Sequence, residues 1–419
     1  MFRPIFNFFS YLWFVLTLDY FQLAATVIDV FILVLSINNW NEIVSQPSVV
    51  MLVFAVFANL IWQVYNVISH FSFLKKEDPK APLVSLLKKG KTGTKDFSRI
   101  KIEENLQKQQ AFPYVRNNEL GTLENPSIDA LLRDARVSIV PELSKNKHKA
   151  TRTYITQYKE TLLKFLNHRW FEIQQKRGSF TNDRKVCLAS EIYHKSDGSI
   201  GWRITSGRYY NGYLTNFIYT QYVGGTHYKL FPPMNMNTDP IKALGESDFS
   251  DHIGISTLLY TKDGYFYVFR PAGNAGYNAD YYMPTGSGSM DFKDYRKGED
   301  FRQIIIRAAE RELKEESSIQ KLMGKQAFSE HVHTEVVGYY RDMERGGKPE
   351  FCCLSFIDME ISEIGEFIQP SETEIAHNSR VPVLFSNPGQ WQEEILPDAS
   401  LSLKMNYRFL EGYLKSEIV

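Results

Sequence analysis

Arg311-Glu312-Leu313-Lys314-Glu315-Glu316-Ser317-Ser318-Ile319, preceded by Ile304-Ile305-Ile306-Arg307-Ala308-Ala309-Glu310, is the stretch whose reading decides the fold. Ile305, Ala308, Ala309 and Leu313 recur at helical spacing, so one side of a helix is buried, while Glu312, Glu315 and Glu316 fall at i, i+3 and i+4 on one face. Like charges that close cost roughly 0.2–0.5 kcal/mol per pair in an isolated helix unless a cation sits between them. A hard divalent metal with oxygen ligands meets that need. The alternative is a solvated acidic face flanked by Arg307, Arg311 and Lys314.

The order of residue types from Arg311 to Ile319 resembles the core of the Nudix box, the signature of the Nudix hydrolase family. There, Arg-Glu-aliphatic-x-Glu-Glu-x-Gly-aliphatic ends a metal-binding helix; this chain departs at Ser318, where the family usually has Gly. The upstream half is less faithful. The family's first glutamate falls on Gln303 and its leading glycine on Lys297, with Gly298 and Glu299 displaced from those places. Met283-Pro284-Thr285-Gly286-Ser287-Gly288-Ser289-Met290-Asp291 looks like the glycine-rich loop that leads into the box. The flanking pattern also follows Nudix order: a strand at 253–260, a Thr261-Lys262-Asp263-Gly264 hairpin turn and a returning strand at 265–270. Two further strands, 334–341 and 349–356, surround Gly346-Gly347.

The resemblance implies a mixed sheet between helices over residues 246–385. It implies hydrolysis of a nucleotide derivative at a diphosphate linkage, with Mg2+ or Mn2+ held by Glu312, Glu315 and Glu316 and with Glu299 as a further ligand. Neutralising the phosphoryl oxygens and deprotonating water are what such chemistry requires. Glu315, Glu316 and Arg311 are then the catalytic core, with Arg311 orienting a glutamate. The general base often comes from outside the box in this family, and Glu350 and Glu372 are the candidates. Arg270 and Arg341 are candidates to meet phosphate, or equally are solvated strand ends.

At 419 residues the chain has room for two or three domains. Lys plus Arg and Asp plus Glu stand at 48 each, so no global field favours nucleic acid, and none is expected as a partner. Cys187, Cys352 and Cys353 form no framework of pairs, which suits a reducing compartment.

The first 70 residues are the compositional anomaly. Residues 20–37 and 48–68 are nearly all apolar, each close to the ~20 residues that cross a bilayer core. Asn38-Asn39-Trp40-Asn41-Glu42 separates them, so they read as a transmembrane helical hairpin (1–72) in the cell membrane; the alternative is two buried helices of a soluble core. Lys75, Lys76, Lys88, Lys89, Lys91 and Lys95 follow the second run, which places both termini in the cytoplasm. Residues 2–18, rich in Phe, Tyr and Trp, extend the first span or lie in the interface. Asp29, in the first span, costs roughly 2.5–3.5 kcal/mol on insertion scales. It either pairs the helices through Asn59 or Gln63 or, the slightly favoured reading, meets other copies in a homo-oligomer.

Residues 73–124 read as a Lys-rich linker, able to sit on anionic lipid. Residues 125–245 read as an aromatic-rich α/β subdomain with a helix at 153–174 and strands at 185–192 and 199–204. Its Gly207–Asn216 stretch offers Arg208 and Tyr209 to a phosphate and a base, or else packs as a tyrosine-rich strand and turn. Residues 386–419 finish with a helix. The fold class expected is α+β. The function expected is a membrane-anchored, metal-dependent Nudix-type hydrolase; the alternative is a nucleotide-sensing Nudix-like module that controls a transmembrane effector with little or no turnover.

Overall fold

A computed structural model describes residues 3–18, 20–75, 83–85, 87, 95–107, 112–144, 146–175, 181–223, 240–270, 281–317, 319, 323–364 and 379–417. The chain divides into two compact units, one of residues 1–84, 152–182 and 222–229, the other of 85–151, 183–221 and 230–419. The class is mixed α+β.

The first unit is helical. It contains α1 (Arg3–Thr17), α2 (Tyr20–Asn38) and α3 (Pro47–Lys75). The helix expected at 153–174 is two, α5 (Asn146–Gln157) and α6 (Lys159–Gln175), broken at Tyr158. Tyr11, Phe14 and Leu18 are buried. The Tyr11 hydroxyl donates to Asn167 of α6, and Thr156 donates to the Leu18 carbonyl at 3.4 Å. The aromatic N-terminus is therefore a packed helix. Asp29 is held inside the unit: Asn59 donates to its carboxylate at 2.6 Å and Gln63 at 3.2 Å. These bonds are those of the helix-pairing alternative. Among the described residues no helix is long and apolar enough to cross a membrane, so the two-span transmembrane hairpin and the membrane localisation built on it are corrected. Polar seams at Asp29, Asn59 and Gln63 interrupt the apolar runs and tie helix to helix.

The second unit is built on an eight-stranded sheet. Its strands are β1 (Val115–Asn117), β2 (Thr122–Glu124), β7 (Gly254–Thr261), β8 (Tyr265–Arg270), β9 (Gly286–Ser289), β10 (Val332–Asp342), β11 (Lys348–Ile357) and β12 (Ser379–Leu384). The order is β12-β8-β7-β11-β10-β2-β1, with β9 paired to β7. All pairings are antiparallel except β7 with β11. Gly264, at φ 89°, closes the β7–β8 turn where Asp-Gly chemistry places it. Residues 115–124, expected in a linker, complete this sheet through Tyr340↔Glu124, whereas most of the lysine run lies outside the described residues.

A four-stranded sheet joins it: β3 (Ile139–Leu143), β4 (Arg184–Leu188), β5 (Tyr193–His194) and β6 (Ile200–Arg208), with β3 and β4 flanking β6. Residues 125–151 and 183–221 fall in the same compact unit as the larger sheet, and Ile139, Val186, Trp202 and Ile204 share a core with Phe301, Tyr339 and Phe351. Trp202 of β6 lies 5.4 Å from the ring of Phe301, 5.4 Å from Tyr339 and 5.5 Å from Phe351. Helix α4 (Pro126–Arg133) is capped by Asn125, whose side chain accepts from Ile128 N–H. The C-terminal helix α8 (Leu401–Glu417) covers the other face through Leu403, Met405, Phe409 and Leu410.

The Gly207–Asn216 stretch folds as the end of β6, a helical turn and a π-helix (Tyr213–Phe217) with Tyr210, Asn211, Thr215 and Asn216 buried. Asn216 donates to Asp251 at 2.9 Å and accepts its N–H at 2.8 Å, which holds Asp251 at φ 49°; buried Lys147 pairs with the same carboxylate at 2.7 Å. Gly212 is needed for space: a Cβ there would meet His252 Nδ1 at 2.2 Å, and His252 is fully buried. Gly212→Ala is expected to destabilise the chain by about 1–3 kcal/mol through overpacking, read as a lower urea midpoint.

Candidate functional site

Helix α7 (Phe301–Ser317) carries the box. Ile304, Ile305, Ala308, Ala309 and Leu313 are fully buried against the sheet, as their spacing requires. The segment expected as a glycine-rich loop is strand β9, and its glycines let the helix lie on it. A Cβ at Gly286 would stand 2.7 Å from Leu313 N, and one at Gly288 2.4 Å from the Glu312 carboxyl. The strand ends in a turn closed by a reciprocal cap between Asp291 and Asp294.

Arg311 is the hub. Its Nε donates to Asp294 at 3.1 Å and its Nη2 to the same carboxylate at 2.9 Å. Its Nη1 donates to Glu312 at 2.8 Å and to Glu315 at 3.0 Å, while Nη2 also reaches the Ser289 carbonyl at 3.2 Å. Glu316 turns the other way and accepts the Ser287 backbone N–H at 2.7 Å. The Glu312 side chain is 9% exposed. Burial pushes its carboxyl up to about 7 and Glu315 adds to that, against the pull of Arg311 and Lys185.

Lys185 was not singled out from sequence. It arrives on β4, which the Val186 N–H to Met290 carbonyl bond (2.9 Å) and the Ile253 N–H to Val186 carbonyl bond (3.0 Å) tie to the large sheet. There it pairs with Asp291, and Lys293 joins at 3.1 Å from Asp291 and 3.6 Å from Glu315. Lys185 lies 5.9 Å from the Tyr209 ring, and Tyr209 stands 6.0 Å from Phe217. Tyr209 therefore lies beside the box cluster; Arg208 is exposed at the end of β6.

The other expected residues lie elsewhere. Glu299 pairs with Arg307 at 2.6 Å, away from the box carboxylates' shared arginine. Glu350 is not brought to the box. Glu350 and Cys352 alternate with Phe351 along β11 and face α8, whereas Ile255, paired with Gly288, faces α7. Glu350 pairs there with Lys348 at 2.5 Å and Arg345 at 3.5 Å. Arg341 is fully buried, donating to the Gly347 carbonyl at 2.7 Å, Glu191 at 3.0 Å and the Lys242 carbonyl at 2.9 Å, so it meets no phosphate. The side chain of Arg270, and all of Glu372 and Ser318, lie outside the described residues.

These donors do not fit a divalent ion as arranged. The Arg311 guanidinium stands between Glu312 and Glu315, where a metal was expected, and Glu316 is engaged by backbone. Among the described residues no group of three or more His, Cys, Asp or Glu is placed to hold a metal ion, which corrects the metal-binding expectation. What remains is a cluster in which Arg311, Lys185 and Lys293 face Glu312, Glu315, Asp291 and Asp294, with one carboxyl titrating near neutrality.

No protein-family model and no curated protein matches the chain. Among solved structures, it is similar to Tm1382, a candidate Nudix hydrolase, at 11% identity and a TM-score of 0.24, over 38% of this chain and 70% of that one. DR0079 from Deinococcus radiodurans is similar at 10% identity and a TM-score of 0.24, over 38% of this chain and 82% of its own. The chain thus has a weak and partial structural similarity to a Nudix-type protein, and the chemistry of its site has to be read from its own residues.

Proposed function

We propose that the second unit hydrolyses a phosphoanhydride linkage in a nucleotide derivative at the Arg311–Glu316 cluster. The observation that supports this best is Glu312, a buried carboxyl pushed up to about 7 although Arg311 and Lys185 stand beside it. A base poised near neutral pH is suited to take a proton from attacking water. Lys185, Lys293 and Arg311 offset the charge that builds on the phosphoryl oxygens as the bond to the leaving phosphate breaks. Tyr209 supplies an aromatic face beside them for the base or sugar.

As a base Glu312 must be ionised, so turnover is expected to rise with pH up to about 7 and level off above it, a limb that Glu312→Gln removes. The sign for stability is opposite. The folded state keeps a proton that the unfolded chain releases near 4.5, so this group's contribution to stability falls as pH rises from about 4.5 to about 7.

A second reading, nucleotide binding with little or no turnover, is favoured by the Arg311 bonds, which already neutralise Glu312 and Glu315. One experiment separates the two: a panel of nucleoside diphosphate derivatives is offered to the full chain in EDTA, in Mg2+ and in Mn2+, with product analysis and titration calorimetry in parallel. Turnover supports the hydrolase. Heat of binding with intact nucleotide in every arm supports the binding module.

A further inference from the structure

The first unit leaves an apolar surface on α2 and α3 that a lone soluble unit does not ordinarily carry. Phe31, Phe54, Phe57, Trp62 and Tyr65 are 51–65% exposed. At 150–250 Å² per aromatic side chain, these five alone leave roughly 600 Å² bare. The aliphatic side chains between them, Ile37 at 72% and Met51 at 76% exposure among others, add substantially to it. The largest apolar patch on a typical monomer is about 300–600 Å² in all, and a stable interface takes about 800 Å² from each partner. The exposed area is thus of the size a stable dimer buries.

We propose that this face is the docking surface for a second copy of this chain. Charge selects that occupant. Residues 20–38 and 47–69 contain one charged side chain, Asp29, and it is buried in the α2–α3 seam against Asn59 and Gln63. The outward face therefore carries no charge to select a different, oppositely charged partner. Under a two-fold axis the same patch meets itself, and an uncharged patch does so without like-charge repulsion. Asp29 pins the two helices side by side, which keeps their apolar faces together as one surface.

The test is the mass of the full chain by light scattering in buffer without lipid or detergent, with Val34→Glu, and with Val34→Cys treated with a short bismaleimide. The native cysteines are buried, and Val115→Cys, at an exposed site of the other unit, is the cross-linking control. The expected results are a multiple of 48.6 kDa, a fall to 48.6 kDa in Val34→Glu, and covalent dimer from Val34→Cys but not from Val115→Cys. Val34→Cys keeps the test decisive if Val34→Glu does not fold. A single-chain mass with no Val34→Cys cross-link overturns the proposal. So does uptake by phosphatidylcholine vesicles as uncross-linked single chains, which would assign the face to lipid.

Discussion

Glu312→Gln is expected to lower turnover of the nucleotide derivative by roughly 10²–10⁴-fold, the range attributed to a positioned proton acceptor. Glutamine keeps the shape of the side chain and its place over Gly288, where no Cβ intrudes. It loses the basic oxygen. It also loses the charge that Arg311 Nη1 meets at 2.8 Å, but the guanidinium retains Asp294 and Glu315, so the helix end should keep its position. Stability measured alongside should change little below pH 4.5, where the native carboxyl is itself protonated. Loss of fold with loss of activity would make Glu312 a structural residue instead.

Arg341→Met is expected to cost about 3–5 kcal/mol, the largest stability effect in the second unit, because it strands a buried partner. Glu191 is 7% exposed and accepts from Arg341 at 3.0 Å, from Leu244 N–H at 3.0 Å and from the Tyr114 hydroxyl at 2.6 Å. Without the guanidinium its charge is uncompensated, and the Gly347 and Lys242 carbonyls lose a donor. Adding Glu191→Gln should return part of that loss, since a neutral amide needs no counter-ion; the two variants share one network and will not add. Urea midpoints of the single and double variants measure both effects. Equal losses in both would mean that packing of the arginine, not its charge, holds the site.

Legibility from sequence followed the range of the forces involved. The box helix and the β7–β8 hairpin were readable because helical period and Asp-Gly turn chemistry are local. The Nudix resemblance implies a glycine-rich loop at Met283–Asp291, and the structure has a strand there. Gly286 and Gly288 are in a strand because only a missing side chain lets α7 approach. Asp291 and Asp294 carry a local signal, the capping-box spacing of three residues. Lys185 carried none: its partner Asp291 is 106 residues away, and only the bridge between the two sheets brings it there. Arg341 and Glu350 were misplaced for a related reason, since neither burial nor sheet face is encoded at a strand end. In the N-terminal unit the Asp29 pairing with Asn59 and Gln63 was among the readings available, whereas composition alone suggested spans that no described helix provides.

The most direct measurement of the central claim is hydrolysis of a nucleoside diphosphate derivative by the full chain in ¹⁸O-labelled water, with the products resolved by mass. The account predicts one labelled oxygen in a single phosphate product, an initial rate that rises up to pH about 7, and labelling slowed roughly 10²–10⁴-fold with Glu312→Gln. Nucleotide recovered intact and unlabelled, although bound, would contradict it.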